Sequence, residues 1–350
     1  MIRLIWMVMA CLMVSSGIRA DEIRHAQYLS IRETPDSIIL EVTKATPGRS
    51  SRFLYRIVRD ENKILLADGT RLPFPLRRIG ISNVFQVALL RELGLLDRTV
   101  CMSYMNYLKS EDLRRDLKRI NVREVSGPTG INIEQVMAAA PDGFFINLSG
   151  SVYDPDESLR RYGIPYIVSA EWLEESLLGR SEWIKFFAAF FDQLPQARRW
   201  FDQLSAQYQK ELKLHSSSDT ARVLWGSVFN GQVWLAGNRS YVAHFIRETG
   251  LDFLGQRYST QTQQVSLEIF MELFKQADIL IYSGEITTLD ELLQLEPRLR
   301  QTPGFERKTI YSLRSSYHEF GIISPHLIIQ DLNRMKSGKF SRAAFFKLLH

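Results

Sequence analysis

Cysteine is almost missing from this chain: Cys11 and Cys101 are the only two in 350 residues. Cys11 falls in a segment expected to be removed, so one thiol remains and an intramolecular disulfide is excluded. Cys101, between Val100 and Met102, is expected as a small buried hydrophobe. Histidine is scarce as well. None of the six (His25, His215, His244, His318, His326, His350) forms a pair at ligand spacing. A closed zinc or manganese site needs several converging ligands, so no resident metal is expected. Charge is nearly balanced, with 44 Lys and Arg against 39 Asp and Glu and a formal net charge of +5. No Lys/Arg block and no basic-aromatic interleaving occurs, which argues against nucleic acid as a partner. The chain also lacks a Gly-rich phosphate loop before a helix, a nucleophile elbow and a histidine set beside an acid. A catalytic role is therefore not expected. A secreted hydrolase stays as the alternative of another class, because any two glutamates can meet in a fold for glycoside work.

What is present begins with an export signal. Arg3, the apolar run Leu4 to Val14, and Ser15-Ser16-Gly17 leading to Ala20 follow the order of a secretory signal peptide, expected over residues 1–20. The run is too short to span a bilayer. Val8-Met9-Ala10-Cys11 also resembles a lipobox, which gives lipid anchoring at Cys11 as the alternative to a free periplasmic form.

Residues 21–76 carry the β-rich runs Ile38 to Val42 and Phe53 to Val58, separated by Pro47-Gly48, with further turn signals at Asp68-Gly69, Pro73 and Pro75. They predict a β-rich appendage packed on a first α/β lobe. From residue 77 to 170 short strands alternate with helices: Ile79 to Ile81, Val84 to Leu93, Thr99 to Met102, Glu111 to Arg119 and onward. That alternation predicts a mostly parallel sheet covered on both faces. Residues 171–215 contain no strand signal. Trp183 to Phe191 is apolar nearly all round, and Ala197, Trp200, Phe201, Leu204, Tyr208 and Leu212 share one helical face. Strand–helix alternation resumes over 216–350. The predicted fold class is α/β: two Rossmann-like lobes joined by a long helical bridge, with an N-terminal β-rich appendage. A helical hinge is stiff, so limited closure is expected.

The two lobes contain a repeat. Asn132-Ile133-Glu134 opens a helix that runs to Asp142, the apolar strand Phe144-Phe145-Ile146 and Ser149-Gly150. Ser266-Leu267-Glu268 opens another, to Asp278, Ile279 to Tyr282 and Ser283-Gly284. Each unit places a glutamate two residues after its cap, beside the positive end of the helix dipole.

Val125-Ser126-Gly127-Pro128-Thr129-Gly130-Ile131-Asn132-Ile133-Glu134 with Ala140-Pro141-Asp142 resembles the first-lobe motif of periplasmic binding proteins for vitamin B12 and ferric siderophores. Leu178 to Lys185 is similar to the bridge of a subgroup of them, and Val265 to Glu268 with Ala277-Asp278 to their second-lobe motif. The resemblance runs from about Arg78 to the C-terminus. It implies a monomeric periplasmic receptor, with no covalently bound cofactor, that delivers a metal chelate to an ABC permease dimer with ATPase subunits. By the same resemblance, Glu134 and Glu268 match the carboxylates that meet arginines on the two permease subunits. The chelate would be an iron–siderophore or a cobalamin-like corrinoid, with haem as the alternative, held by Tyr104 or Tyr107 with His318.

A pocket in such a fold lies where loops leave the carboxyl ends of strands. In the first lobe this selects Tyr104, Tyr107 and Thr129; in the second, Trp225, Phe229, Trp234, Asn238, Arg239 and Tyr241, with Arg314, Ser315, Tyr317 and His318 after a later strand. Aromatic rings suit the faces of a chelate, and Asn or Arg can hold its peripheral carboxylates.

Overall fold

The computed structural model describes residues 23–46, 49–127, 130–214, 221–229, 232–255, 262–284, 286–337 and 343–350. The expected signal segment lies outside them. Among the described residues no helix is long and apolar enough to cross a membrane.

Five antiparallel strands form the appendage: β1 (Leu29–Glu33), β2 (Ser37–Thr46), β3 (Arg49–Val58), β4 (Lys63–Leu66) and β5 (Arg71–Pro73), paired in chain order. Ile38, Leu40 and Val42 alternate inward on β2 and meet Tyr55 and Ile57 of β3 on the same buried face, as a sheet with one covered side requires. That face lies against the first lobe and the bridge. Tyr55 packs edge-on against Phe186 and Phe190, with ring centroids 5.9 and 5.6 Å away.

The first lobe contains β6 (Ile79–Ile81), α1 (Val84–Glu92), β7 (Thr99–Met102), α2 (Glu111–Arg119) and β8 (Arg123–Glu124). A small antiparallel pair comes next, β9 (Ser126–Gly127) with β10 (Gly130–Ile131), then α3 (Ile133–Ala139), β11 (Gly143–Asn147), α4 (Asp156–Arg161) and β12 (Tyr166–Ser169). The parallel sheet runs β12-β11-β6-β7-β8. This is the doubly wound order, and its topological switch point falls between β6 and β11. Strand β12 is one edge of that sheet. There the Val168 N–H donates to the Tyr55 hydroxyl at 2.7 Å, so the appendage occupies a backbone donor that an edge would leave open.

The bridge is three helices, where the sequence suggests one rod: α5 (Leu177–Glu182), α6 (Ile184–Ala189) and α7 (Leu194–Lys213). Asp192 adopts a left-handed φ of 60°, and Pro195 sits in the first turn of α7, so the chain turns between α6 and α7. Trp183 to Phe191 is buried throughout, and Ala197, Phe201, Leu204 and Tyr208 form the buried face of α7. The core of the appendage, the bridge and one face of each lobe is continuous.

The second lobe contains β13 (Arg222–Phe229), β14 (Gln232–Leu235), α8 (Tyr241–Glu248), β15 (Asp252–Leu254), β16 (Gln263–Val265) and α9 (Leu267–Gln276). It ends with β17 (Ile279–Tyr282), α10 (Leu289–Leu295), β18 (Thr309–Leu313), α11 (Ser316–Phe320), α12 (Pro325–Lys336) and β19 (Phe346–Leu348). Its sheet is mixed, unlike the first. Strands β13, β15, β17 and β18 run parallel, whereas β14, β16 and β19 pair antiparallel.

The repeat read from the sequence has one physical basis in both lobes. Asp142 accepts from the Arg77 and Arg78 backbone N–H groups at 2.9 Å each and returns its own N–H to the Arg78 carbonyl at 2.7 Å. Asp278 accepts from the Arg222 N–H at 2.9 Å and donates back to the Arg222 carbonyl at 2.9 Å. Each aspartate thus locks the start of the neighbouring central strand, β6 or β13.

Candidate functional site

The first-lobe wall of the cleft forms at the switch point, outside the carboxyl ends of β6 and β11. Ser82 and Asn83 come directly after β6, Asn147 ends β11, and Tyr104, Tyr153, Asp154 and Trp172 close a groove of about 870 Å³ that opens to solvent. Beneath it lies an amide–carboxylate network. The Asn147 side-chain amide donates to the Ser169 carbonyl at 2.8 Å and to both Glu171 oxygens at 3.2 Å. The Asn83 amide reaches Glu171 at 3.4 Å, while its oxygen caps α1 through the Gln86 N–H. Glu171 is 1% exposed. A buried carboxyl is tolerated only when it is hydrogen-bonded, and here the amides supply those bonds.

A second, inner cavity, much tighter than the groove and with room for about one water molecule, lies behind Trp172, between the bridge and the second lobe. Glu171, Trp172, Arg180, Tyr241 and Tyr317 line it, with Phe85 and Ile328 among its apolar walls. The Arg180 guanidinium donates to the Trp172 carbonyl at 2.6 Å and the Glu174 carbonyl at 3.3 Å, and it covers the Tyr241 ring at 3.5 Å. The Tyr241 and Tyr317 hydroxyls are 3.2 Å apart. Burial, then the neighbouring Tyr241, pushes the Tyr317 phenol well above its ordinary pKa. The Trp172 indole N–H is buried and has no hydrogen-bond partner among the described residues. Trp172 borders both cavities.

The lobes touch at the cleft. Glu319 on α11 of the second lobe is buried and accepts from the backbone N–H groups of Lys109 and Ser110, at the start of α2 in the first. A carboxylate from one lobe therefore caps a helix of the other, at the positive end of its dipole.

The candidates from the sequence divide into groups. Tyr104 lines the first-lobe groove and is held in a left-handed conformation with φ 58°. Tyr107 is 64% exposed, with its ring 6.1 Å from that of Tyr104. Tyr241 and Tyr317 line the inner cavity. Trp225 is on β13 rather than a loop and is 4% exposed, packed by Phe245, Tyr317 and Phe346. Its ring supports Tyr317 and is not presented to a ligand. Trp234 lies half-buried on β14, and the Asn238 side-chain oxygen is engaged by Arg247, with exposed Arg239 beside it. None of these three lines either cavity. Thr129 lies outside the described residues, as does the side chain of Phe229. His318 is exposed, and its ring stands edge-on to Tyr317 at 5.3 Å. Among the described residues no three His, Cys, Asp or Glu side chains converge to hold a bare metal ion. Cys101 is buried, which pushes its thiol up to about 12.

Glu134 and Glu268 occupy the same place in the twin units. Each is exposed, one residue inside its helix, behind an Asn132 or Ser266 cap whose side chain accepts from the Gln135 or Ile269 N–H. The Glu268 carboxyl is held below the usual range by its own backbone N–H and the Ser266 hydroxyl. Neither glutamate lines the two cavities of the cleft.

A family model of periplasmic binding proteins matches residues 81–317. The chain belongs to the periplasmic binding protein family. Members of the family are solute-binding proteins. An uncharacterized lipoprotein of Methanocaldococcus jannaschii, MJ0878, is 25% identical over 235 residues, 66% of this chain and 56% of that protein. This periplasmic binding protein thus spans little more than half the length of that relative. In fold it is similar to the vitamin B12 binding protein BtuF of Vibrio cholerae, at 16% identity and a TM-score of 0.55, covering 77% of this chain and 100% of that one. It is likewise similar to the petrobactin-binding protein YclQ of Bacillus subtilis, at 15% identity and a TM-score of 0.59, covering 79% and 96%.

Asn83, Asn147, Tyr153 and Trp172 line the groove and are not among the residues that the sequence selects. Asn83 and Asn147 stand at the carboxyl ends of apolar strands, so the strand-end rule applied to every strand selects them. Trp172 lies in a short turn at the start of the bridge, and no local signal marks it.

Proposed function

We propose that this periplasmic binding protein captures a metal chelate, a ferric siderophore or a cobalamin-like corrinoid, in the cleft and presents it to an ABC importer. It acts as a monomer in the periplasm, free or tethered through Cys11. The observation that carries the reading is the pair of exposed glutamates, Glu134 and Glu268, at one equivalent position on twin lobes. Two such carboxylates fit a two-fold-related pair of permease subunits, with ATP hydrolysed by their partner. The aromatic groove on the first-lobe wall of the cleft suits the face of a chelate. The fold shared with proteins that bind vitamin B12 and petrobactin supports the same class of ligand.

The test separates capture from delivery. In cells supplied with ferrioxamine B or cyanocobalamin, Glu134→Ala with Glu268→Ala abolishes uptake while affinity measured by calorimetry stays within about twofold of wild type, because both side chains are solvent-exposed. Full uptake by the double variant would refute the docking assignment. Haem is the second reading, favoured by Tyr104, which lines the groove. A Soret band on haemin titration that Tyr104→Phe removes would support it.

A further inference from the structure

We propose that the first-lobe wall of the cleft selects a cationic chelate over an anionic one. The inference rests on the chelate reading and names the charge of the ligand that site takes. The groove presents three rings (Tyr104, Tyr153 and Trp172), amides and hydroxyls, and one carboxylate, Asp154. No lysine or arginine lines it among the described residues. A second carboxyl, Glu171, is buried directly behind Asn83 and Asn147, and its hydrogen-bond donors there are neutral amides.

Anionic ligands are normally held by guanidinium or ammonium donors that replace their lost hydration. Here a desolvated anion would instead face carboxylates across a wall of aromatic and amide groups. Arg180 lies behind Trp172, where it donates to the Trp172 and Glu174 backbone carbonyls and covers Tyr241; it lines the inner cavity and not the groove, and it offsets part of the Glu171 charge, so Asp154, which accepts from Ser149 and Gly150, is the carboxylate that sets the field at the groove surface. A cation gains on both counts, from the carboxylate field and from the faces of the rings. One unit charge about 8 Å from a carboxylate, at an effective dielectric near 20, changes affinity on the order of ten- to thirtyfold.

The experiment uses the full chain and three ligands with one iron–hydroxamate core: ferrioxamine B, with a cationic amine tail, and its neutral N-acetyl and anionic N-succinyl derivatives. Haemin and ferric enterobactin serve as unrelated anions. Calorimetry at low salt is expected to rank the tails cationic, neutral, anionic, with at least a tenfold span that narrows in high salt. Ser151→Lys, on the exposed groove loop, is expected to compress or invert that order, and Asp154→Asn to compress it. The order is read on wild-type protein, so a variant that misfolds leaves the test intact. An anionic tail bound as tightly as the cationic one, or a tail order that ignores salt, overturns the charge selection. Tightest binding of haemin or ferric enterobactin overturns it too, and leaves the chelate reading standing. Binding of none of the five removes the chelate reading itself, and this inference with it.

Discussion

Glu182 is the side chain whose loss should cost the fold most. It is fully buried on α5 and accepts from the backbone N–H groups of Arg24, His25 and Ala26 at 3.0, 2.7 and 3.0 Å, and from the Lys185 ammonium at 2.7 Å. Lys185 is itself 2% exposed. Beside it Glu174 takes the next two amides, those of Gln27 and Tyr28, at 2.7 and 3.1 Å. Five consecutive backbone donors of the entering chain are therefore held by two carboxyls of the bridge. Glu182→Ala takes the carboxylate away from a buried ammonium and three amides at once, and breaking a buried pair from one side costs about 3–5 kcal/mol. With roughly 2 cal/mol/K of unfolding entropy per residue, a chain of this length loses about 4–7 °C in Tm. Lys185→Met should cost less, because Glu182 keeps its three backbone donors. Differential scanning calorimetry reads both variants, and limited proteolysis reports whether residues 24–28 come loose. A Tm for Glu182→Ala within a degree of wild type, or a larger loss for Lys185→Met, would refute the reasoning.

Further outcomes are expected from the same contacts and burial. Tyr55→Phe leaves the buried Val168 N–H without its acceptor and should cost about 1–3 kcal/mol in urea denaturation. Gly226→Ala places a Cβ 2.6 Å from the Leu235 side chain and 2.7 Å from the Trp234 carbonyl; backbone must shift, and a loss of about 1–3 kcal/mol or more is expected. Burial lowers the pKa of both His25 and His326 in the folded chain. The unfolded chain therefore takes up protons first, and stability is lost as pH falls below the ordinary histidine value of about 6.5. His25→Gln should flatten part of that acid limb in Tm measured against pH; an unchanged slope would contradict the assignment.

Capped helices and apolar central strands were the legible parts of this chain. Asn132, Ser240, Ser266 and Ser110 each cap a helix at the place their residue type suggests, because a side-chain acceptor there satisfies an orphan N–H. Strands β6, β7, β11 and β17 are short, apolar and buried on both faces, which leaves them no other place in the fold. The antiparallel strands β14, β16 and β19 were not legible as a set, since each is only three or four residues long and partly exposed. A hairpin signal was nevertheless there in Asn230-Gly231 between Val228 and Val233. Without it the strand ends at Trp225 and Trp234 falls in a loop, which makes both look like ligand contacts. The turn that divides the bridge was silent because Asp192, and not a glycine, takes the left-handed conformation. At the site, residues at strand ends could be derived, whereas Trp172, Arg180 and the Glu319 contact depend on how the bridge and second lobe pack.

Native mass spectrometry of the protein purified from the periplasm of its own cells tests the central claim most directly. The account predicts one retained small molecule per chain, with the isotope pattern of a metal-bearing chelate and no net negative charge. A retained ligand without metal, such as a sugar or peptide, would contradict it.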